Sequence, residues 1–175
     1  MDGRPRQVAG NVVKRLDEEL LKDLSQQALL SPRLRDNYNF HERPEDRVQR
    51  LCIALEPDSY VRPHRHREPD KWEFLIALKG GCLLLLFERD GTVAERHILH
   101  PGGDLRGIEI PPDTWHTLLA EESGTVIMEI KQGPYIPVSF SNFAEWSPRE
   151  TSPRVKAYQE WCRRAKPGAR FEHDG

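Results

Sequence analysis

The sequence predicts an all-β domain, a barrel or sandwich, with one helix before it and one after it. From Val48 to Lys131 the apolar residues recur with a period of two, which is typical of strands with one buried face. Turn-forming pairs such as Asp90-Gly91 interrupt this pattern at short intervals. About eight short strands separated so regularly favour a closed or sandwiched antiparallel sheet.

The N-terminal part, residues 1–46, is predicted to be a helix and a connector that pack on the barrel. Apolar residues recur at helical spacing from Asn11 to Leu30, and Pro32 ends the run. A single helix cannot bury its apolar face alone, so we expect this one to lie against the main body.

The predicted barrel covers residues 47–135. Its strands are expected at Val48–Leu55, Tyr60–His66, Glu73–Leu78, Gly81–Glu88, Thr92–Leu99, Arg106–Ile110, Thr114–Ala120 and Thr125–Lys131. Closing such a sheet removes its exposed edges and creates an interior that can hold a small ligand.

The C-terminal extension, residues 136–175, is predicted to be a loop followed by a helix from Arg154 to Ala165. Pro153 precedes this helix, as is common at a first helical turn. Val155, Tyr158 and Cys162 give the helix one apolar face.

Composition argues against two classes of partner. The chain has 175 residues, a formal charge of -2 and a pI near 6.4, so it has no general attraction for nucleic acid or anionic membranes. Its longest apolar run is too short to span a bilayer, and we see no secretory signal near the N-terminus. The three cysteines are widely separated and have no C-x-x-C spacing, and Cys52 and Cys82 lie in apolar segments that indicate reduced core residues. We therefore expect a cytoplasmic protein.

Four residues suggest a metal centre inside the barrel. His64 and His66 are two apart, so they share one face if the segment is extended. Glu73 and His116 follow at distances that let neighbouring strands bring them to the same point. Three imidazoles and a carboxylate suit a divalent transition metal such as zinc, iron, manganese or nickel. The alternative is that these are surface residues of a charged loop.

Residues that would share a strand face with this cluster are candidates for binding a substrate. Tyr60 and Arg62 share the parity of the histidines, and Glu129 and Lys131 share a face of the last strand. A metal with an arginine and a lysine suits an anionic or polyhydroxylated molecule. A solvated strand edge explains Arg62 and Lys131 equally well.

A polar and aromatic alternation before the barrel allows two interpretations. Asn37, Asn39 and His41 would share one face of an extended segment, and Tyr38 and Phe40 the other. The polar face either meets solvent or faces the cavity.

The chain resembles the cupins. His64, His66 and Glu73 match the first cupin motif, which Gly80 closes, and Pro111 through His116 match the second. The gap between His66 and Glu73 is two residues longer than the common form, so Glu68 is an alternative ligand. Asp113 replaces a turn glycine, which is tolerable because aspartate can adopt a left-handed backbone. The resemblance implies a double-stranded β-helix, the cupin jelly-roll barrel.

More narrowly, the sequence resembles the WbuC family of cupin-fold metalloproteins. The likeness rests on the strings SPRLRDNYNFH, VQRLCIALEPDSYVRPHRH, DKWEFLIALKG, LRGIEIPPDTWHTL, EIKQGPYIP and FAEWSP. It implies a polysaccharide-biosynthesis context, a small sugar-derived ligand and a homodimer. It also favours the cavity interpretation of Asn37, Asn39 and His41.

Three functions fit these residues. The first is an enzyme that isomerises or epimerises a small carbohydrate, with the metal polarising a carbonyl. The second is an Fe(II)-dependent oxygenase, which needs open coordination positions for oxygen and substrate. The third is a non-catalytic protein that binds or senses a small ligand.

Overall fold

The computed structural model describes residues 6–8, 11–68 and 71–172. The strands are β1 Arg6–Val8, β2 Asn11–Val13, β3 Arg35–Asn39, β4 Val48–Leu55, β5 Glu73–Lys79, β6 Cys82–Phe87, β7 Val93–Leu99, β8 Gly107–Ile110, β9 Trp115–Ala120 and β10 Thr125–Gln132. The helices are α1 Glu18–Leu30 and α2 Val155–Arg164, and a 3-10 turn covers Phe140–Asn142.

Two antiparallel sheets form the barrel. The larger has the strand order β3-β4-β10-β5-β8, and the smaller has the order β7-β6-β9. Strands that are distant in sequence are neighbours in both sheets, as in a jelly roll. Aliphatic side chains from the two inner faces, among them Leu75 and Leu84, form one buried cluster. The predicted all-β class, a double-stranded β-helix with a helix at each end, is confirmed.

Each helix covers the outer face of one sheet. On α1, Leu21, Leu24 and Ala28 pack against residues of β4 and β10. On α2, Tyr158 and Cys162 pack against the outer face of the smaller sheet. Strand β6 is therefore covered on both sides, which explains why its sequence is almost continuously apolar rather than alternating.

Two predicted elements are wrong in part. The helix expected from Asn11 begins only at Glu18, because the Asp17 carboxylate caps its first turn by accepting the Leu20 N–H. Asn11–Val13 instead forms β2, paired with β1. The strand expected at Tyr60–His66 is an extended segment in which His64 alone forms a β-bridge.

Turn chemistry agrees with the sequence at several junctions. Gly91 has a φ of 89° in the β6–β7 hairpin, and Asp113 has a φ of 59°, the left-handed conformation expected of an aspartate at this position.

All three cysteines are free and buried. Among the described helices, neither α1 nor α2 has the length and apolar character needed to cross a membrane.

Gly80, between β5 and β6, is a position where we expect substitution to be costly. Its φ is 64°, and an added Cβ would lie 2.6 Å from the Thr125 hydroxyl oxygen. We expect Gly80→Ala to lower the free energy of unfolding by about 2 kcal/mol, from backbone strain and steric overlap together. Urea denaturation measures this loss. Gly168→Ala is the control, since Gly168 also has a positive φ but no atom within 4 Å of an added Cβ. Equal losses in the two variants would show that the contact with Thr125 is irrelevant.

Candidate metal centre and its cavity

A cavity of about 560 Å³ opens into the barrel. Aliphatic side chains of the barrel line it together with charged and polar side chains. The lining residues are Arg33, Arg35, Asp36, Asn37, Asn39, His41, Pro44, Gln49, Leu51, Ile53, Leu55, Val61, His64, Glu73, Leu75, His116, Leu118, Glu129, Lys131 and Tyr135. A cavity of this size suits a small-molecule ligand.

Three histidines meet beside this cavity, and two of them, His64 and His116, line it. The His64 N–H donates to the His116 carbonyl at 3.0 Å, and the His116 N–H donates to the His64 carbonyl at 2.9 Å. This reciprocal pair fixes the two residues side by side, with ring centroids 4.5 Å apart. One nitrogen of each of His64, His66 and His116 lies within 4.8 Å of the others. The predicted convergence of the histidines is therefore present.

Glu73 completes the cluster from the first position of β5. Its Oε1 lies 3.1 Å from His66 Nε2, and its Oε2 lies 3.0 Å from His116 Nε2. Glu73 is only 3% exposed although it is a carboxylate. Its contact with two imidazoles favours Glu73 over Glu68 as the fourth member of the cluster.

Backbone carbonyls orient two of the rings. The Nδ1 of His64 lies 3.0 Å from the Arg62 carbonyl oxygen, and the Nδ1 of His116 lies 2.9 Å from the Thr114 carbonyl oxygen. A carbonyl can only accept, so each Nδ1 carries the proton and donates. In the neutral rings this leaves the Nε2 lone pairs directed at the shared centre, as in metal-ligating histidines.

The donor set fits a metal ion. Three imidazole nitrogens and one carboxylate are common ligands of zinc, iron, manganese and nickel. The buried Nε2 of His66 has no well-aligned hydrogen bond despite its closeness to Glu73, which is the state expected of a nitrogen placed for a ligand. Among the described residues these side chains can hold one metal ion.

Burial and neighbouring charges shift the pKa values of three residues in the cluster. Burial, together with the positive charge of a protonated His116, lowers the pKa of His64 to about 3. Burial opposes the charged form of Glu73, but its close contacts with the His116 and His66 imidazoles prevail and hold its pKa well below the usual range. For His116, burial lowers the pKa, yet the hydrogen bond and the charge of Glu73 outweigh it and raise the pKa.

These shifts predict that metal affinity rises with pH. A metal ion must displace the proton that His116 shares with Glu73, whereas His64 is already neutral. Below the raised pKa of His116 we expect the metal dissociation constant to fall about tenfold per pH unit, because one proton is released per ion bound. Above that pKa the affinity should level off.

Titration calorimetry between pH 5.5 and 8 in buffers of different ionisation enthalpy measures both the affinity and the released proton. An affinity that does not change across this range, with no proton released, would contradict the assignment of His116 as the group that binds both proton and metal.

A second charged group lies beside the cluster on β10. Lys131 Nζ lies 2.5 Å from Glu129 Oε1 and 3.3 Å from Glu73 Oε1. Burial disfavours the charge of Lys131, but the two carboxylates outweigh it and raise its pKa. Lys131 is therefore an ammonium between two carboxylates, and the three charges sum to minus one. A divalent cation would change that local sum to plus one.

The other predicted binding residues divide into two groups. Asn37, Asn39 and His41 line the cavity, in agreement with the cavity interpretation of their strand. Tyr38 and Phe40 point the other way and pack on the cluster under α1.

The predicted positions of Tyr60 and Arg62 are wrong. Tyr60 lies in the core under α2, and its hydroxyl donates to the Pro148 carbonyl. Arg62 donates to the Ala144 carbonyl and the Ser147 hydroxyl. Strand parity fails here because the segment is not a regular strand, and Val61 faces the cavity in place of its neighbours.

Sequence reasoning missed several polar residues of the cavity wall, among them Arg33, Arg35 and Gln49. Arg33 and Arg35 precede and begin β3, where composition indicated only a connector. Gln49 is 1% exposed, and its amide donates to the Pro44 and Asp46 carbonyls. A polar residue at an inward position of β4 was the signal that could have identified Gln49.

Comparisons with known proteins leave the reaction open. Residues 16–99 match the family model described as Domain of unknown function (DUF6016). No curated protein matches the chain. Among solved structures, KdgF from Halomonas sp. is 17% identical, covers 59% of this chain and 81% of its own, and has a TM-score of 0.46.

Two further solved structures are similar to the chain. A cupin superfamily protein from Desulfitobacterium hafniense is 12% identical over 56% of this chain and 76% of its own, with a TM-score of 0.44. A mutant of Bacillus subtilis oxalate decarboxylase is 14% identical over 72% of this chain and 35% of its own, with a TM-score of 0.46. At these identities the likeness concerns the general fold alone.

Proposed function

We propose that this chain is a metal-dependent enzyme that isomerises or epimerises a small polar or anionic carbohydrate. The observation that carries the proposal is the cluster of His64, His66, Glu73 and His116 at the inner end of a ligand-sized cavity, beside a buried carboxylate–ammonium pair. A site with structural duties only would have no need of such a cavity or of the second charged pair.

The four clustered side chains would hold a divalent transition metal. When bound, that ion supplies Lewis-acid stabilisation to the negative charge that develops on a substrate oxygen. The carbonyls of Arg62 and Thr114 keep the two imidazoles oriented, so that little reorganisation accompanies binding. The local charge of plus one after metal binding favours a substrate with an anionic or strongly polar oxygen.

Glu129 and Lys131 are the proposed proton-transfer groups. Both line the cavity next to the histidine cluster. Glu129 takes a proton from the carbon next to the substrate carbonyl and returns it to the other face or to the neighbouring carbon. Lys131 orients this carboxylate through their 2.5 Å contact and remains an ammonium throughout. No atoms are gained or lost, so no co-reactant is needed.

The carbohydrate assignment is supported by the resemblance of the sequence to the WbuC family. Asn37 and Asn39 add amide groups to the wall, and Asn37 Nδ2 donates to Asn39 Oδ1 at 2.9 Å. Amides are suited to the hydroxyl groups of a sugar, since they offer both donors and acceptors.

Deuterium exchange tests the proposal. The metal-loaded chain is incubated in D₂O with aldose and ketose phosphates, uronic acids and nucleotide sugars, and proton NMR follows the carbon next to the carbonyl. We expect deuterium incorporation into at least one compound. Glu129→Gln should abolish it, and the exposed Glu109→Gln should retain it.

Absence of exchange in every compound with each of zinc, iron, manganese and nickel would contradict the proposal. So would oxygen consumption with iron but not with zinc, because that result would identify the oxygenase instead.

A further inference from the structure

Two arginines form the outer end of the cavity. Arg33 and Arg35 both line it, and Leu34 between them has a φ of 53°. A left-handed backbone is unfavourable for leucine, so the surrounding structure must hold it in place. The Glu56 N–H donates to the Leu34 carbonyl at 2.9 Å, and the Ser59 hydroxyl donates to the Arg33 carbonyl at 3.0 Å. The arginine pair is thus set on a fixed backbone.

The two guanidinium groups share one carboxylate oxygen. Glu150 Oε1 lies 2.6 Å from Arg33 Nη2 and 3.3 Å from Arg35 Nη2. Arg35 is further held by donation from its Nη1 to the Tyr60 carbonyl at 2.6 Å. Arg33 and Glu150 have side chains that are 59% and 45% exposed, so a ligand can reach both. Glu150 is therefore the carboxylate that both cations share, and it can be reached from solvent.

Each end of the cavity has its own set of charged groups. The inner end has Glu73, Glu129 and Lys131, with a sum of minus one before a metal binds. The outer end has Arg33, Arg35, Glu150 and Asp36, whose Oδ1 accepts the backbone N–H of Asn37, so its formal charges sum to zero while Glu150 stays in place. Leu51, Ile53 and Leu55 line the wall between these ends.

The two ends are close enough for one small molecule. Arg35 bonds to the carbonyl of Tyr60, which is four residues before His64. Four residues of extended chain span at most about 14 Å. This length bounds the Cα separation of Tyr60 and His64, and groups of both ends line the same cavity.

We propose that Arg33 and Arg35 bind an oxyanion, a phosphate or carboxylate, at the end of the substrate remote from the metal. Glu150 occupies part of this subsite and is displaced or shared when the oxyanion enters. The oxyanion subsite itself rests on the arginine geometry, whereas its role in placing a phosphorylated or carboxylated sugar rests on the proposed function. Planar guanidinium pairs suit both anions because they donate parallel hydrogen bonds.

Calorimetry with inorganic phosphate and, separately, with acetate tests the subsite in chelator-treated protein at low ionic strength. We expect saturable binding of at least one anion, and the preferred anion identifies the group that the substrate carries. Arg33→Gln should weaken it roughly tenfold, because a charged bidentate donor is lost. Glu150→Gln should strengthen it severalfold, because the competing carboxylate is gone. Arg43→Gln, an exposed arginine paired with Asp46, is the matched control and should leave it unchanged.

Weaker anion binding in Arg33→Gln together with tighter binding in Glu150→Gln identifies an anion subsite. If the two residues formed only a structural ion pair, anion binding would weaken in both variants or in neither. The inference is overturned if neither anion binds the wild-type chain, or if Glu150→Gln fails to tighten binding. The metal-free protein is used so that this failure can be told from failure of the metal centre. His116→Ala should still bind the anion even if deuterium exchange is lost.

Discussion

His116→Ala is expected to lower metal affinity by more than about a hundredfold, the loss that can follow removal of a group that merely supports a ligand. The substitution deletes one of the three imidazoles, and the Glu73 Oε2 that lies 3.0 Å from it loses its partner. The chain purified without chelators should contain about one equivalent of metal, and the variant almost none. Elemental analysis with competitive chelator titration measures both quantities.

The control for this variant is His97→Ala. His97 is a half-buried histidine on β7 whose Nε2 lies 2.7 Å from Glu95 Oε2. It is not part of the cluster, so its substitution should leave metal content unchanged. The assignment of the centre is wrong if His116→Ala retains a full equivalent of metal, or if His97→Ala loses as much as His116→Ala does.

Lys131→Met is expected to lower the free energy of unfolding of the metal-free chain by about 4 kcal/mol, the range found when one partner of a buried ion pair is removed. The Lys131 side chain is 17% exposed and lies between Glu129 and Glu73, both buried. Its loss leaves two carboxylates close together with the histidines as their remaining partners. Urea denaturation of chelator-treated protein measures the change.

Two comparisons make the Lys131 result specific. The double variant Glu129→Gln with Lys131→Met should recover part of the lost free energy of unfolding, because it removes one uncompensated negative charge. Metal loading should also reduce the loss, since the cation offsets the same carboxylates. Lys156→Met, on the exposed face of α2, should be nearly neutral. A loss in Lys131→Met no larger than in Lys156→Met would show that the buried charges are not coupled.

The barrel could be predicted from the sequence because, in most strands, the residues that the apolar pattern marks as inward are the ones that the fold buries. The observed bounds of β4 match the prediction, those of β5 and β9 differ by one residue at one end, and those of β6 differ by one residue at each end. The histidine cluster was predictable for the same reason, since β5 and β9 brought Glu73 and His116 to it. Their assignment as ligands stays a prediction.

The segment from Tyr60 to His66 shows where parity reasoning fails. Pro63 has no N–H to donate, and only His64 forms a bridge, so no continuous ladder imposes alternation. Val61 faces the cavity while Tyr60 turns to the opposite core. In such a segment, contacts with residues distant in sequence decide which side chains point inward. Counting alternate residues along the sequence cannot predict them.

The arginine pair and the start of α1 were missed for different reasons. The left-handed backbone of Leu34 directs Arg33 and Arg35 into one wall, and nothing in a leucine indicates that conformation. The start of α1, in contrast, was visible in the sequence. Asp17 followed by Glu18 and Glu19 is a capping residue with acidic residues in the first helical turn, which the apolar spacing before it obscured.

Anomalous diffraction from crystals of the chain, purified without chelators and measured at the absorption edge of the metal it contains, tests the central claim most directly. The account predicts one peak about 2.0–2.2 Å from Nε2 of His64, His66 and His116 and from a Glu73 carboxylate oxygen. A peak elsewhere, or no peak at this cluster in protein that elemental analysis shows to be metal-loaded, would contradict it.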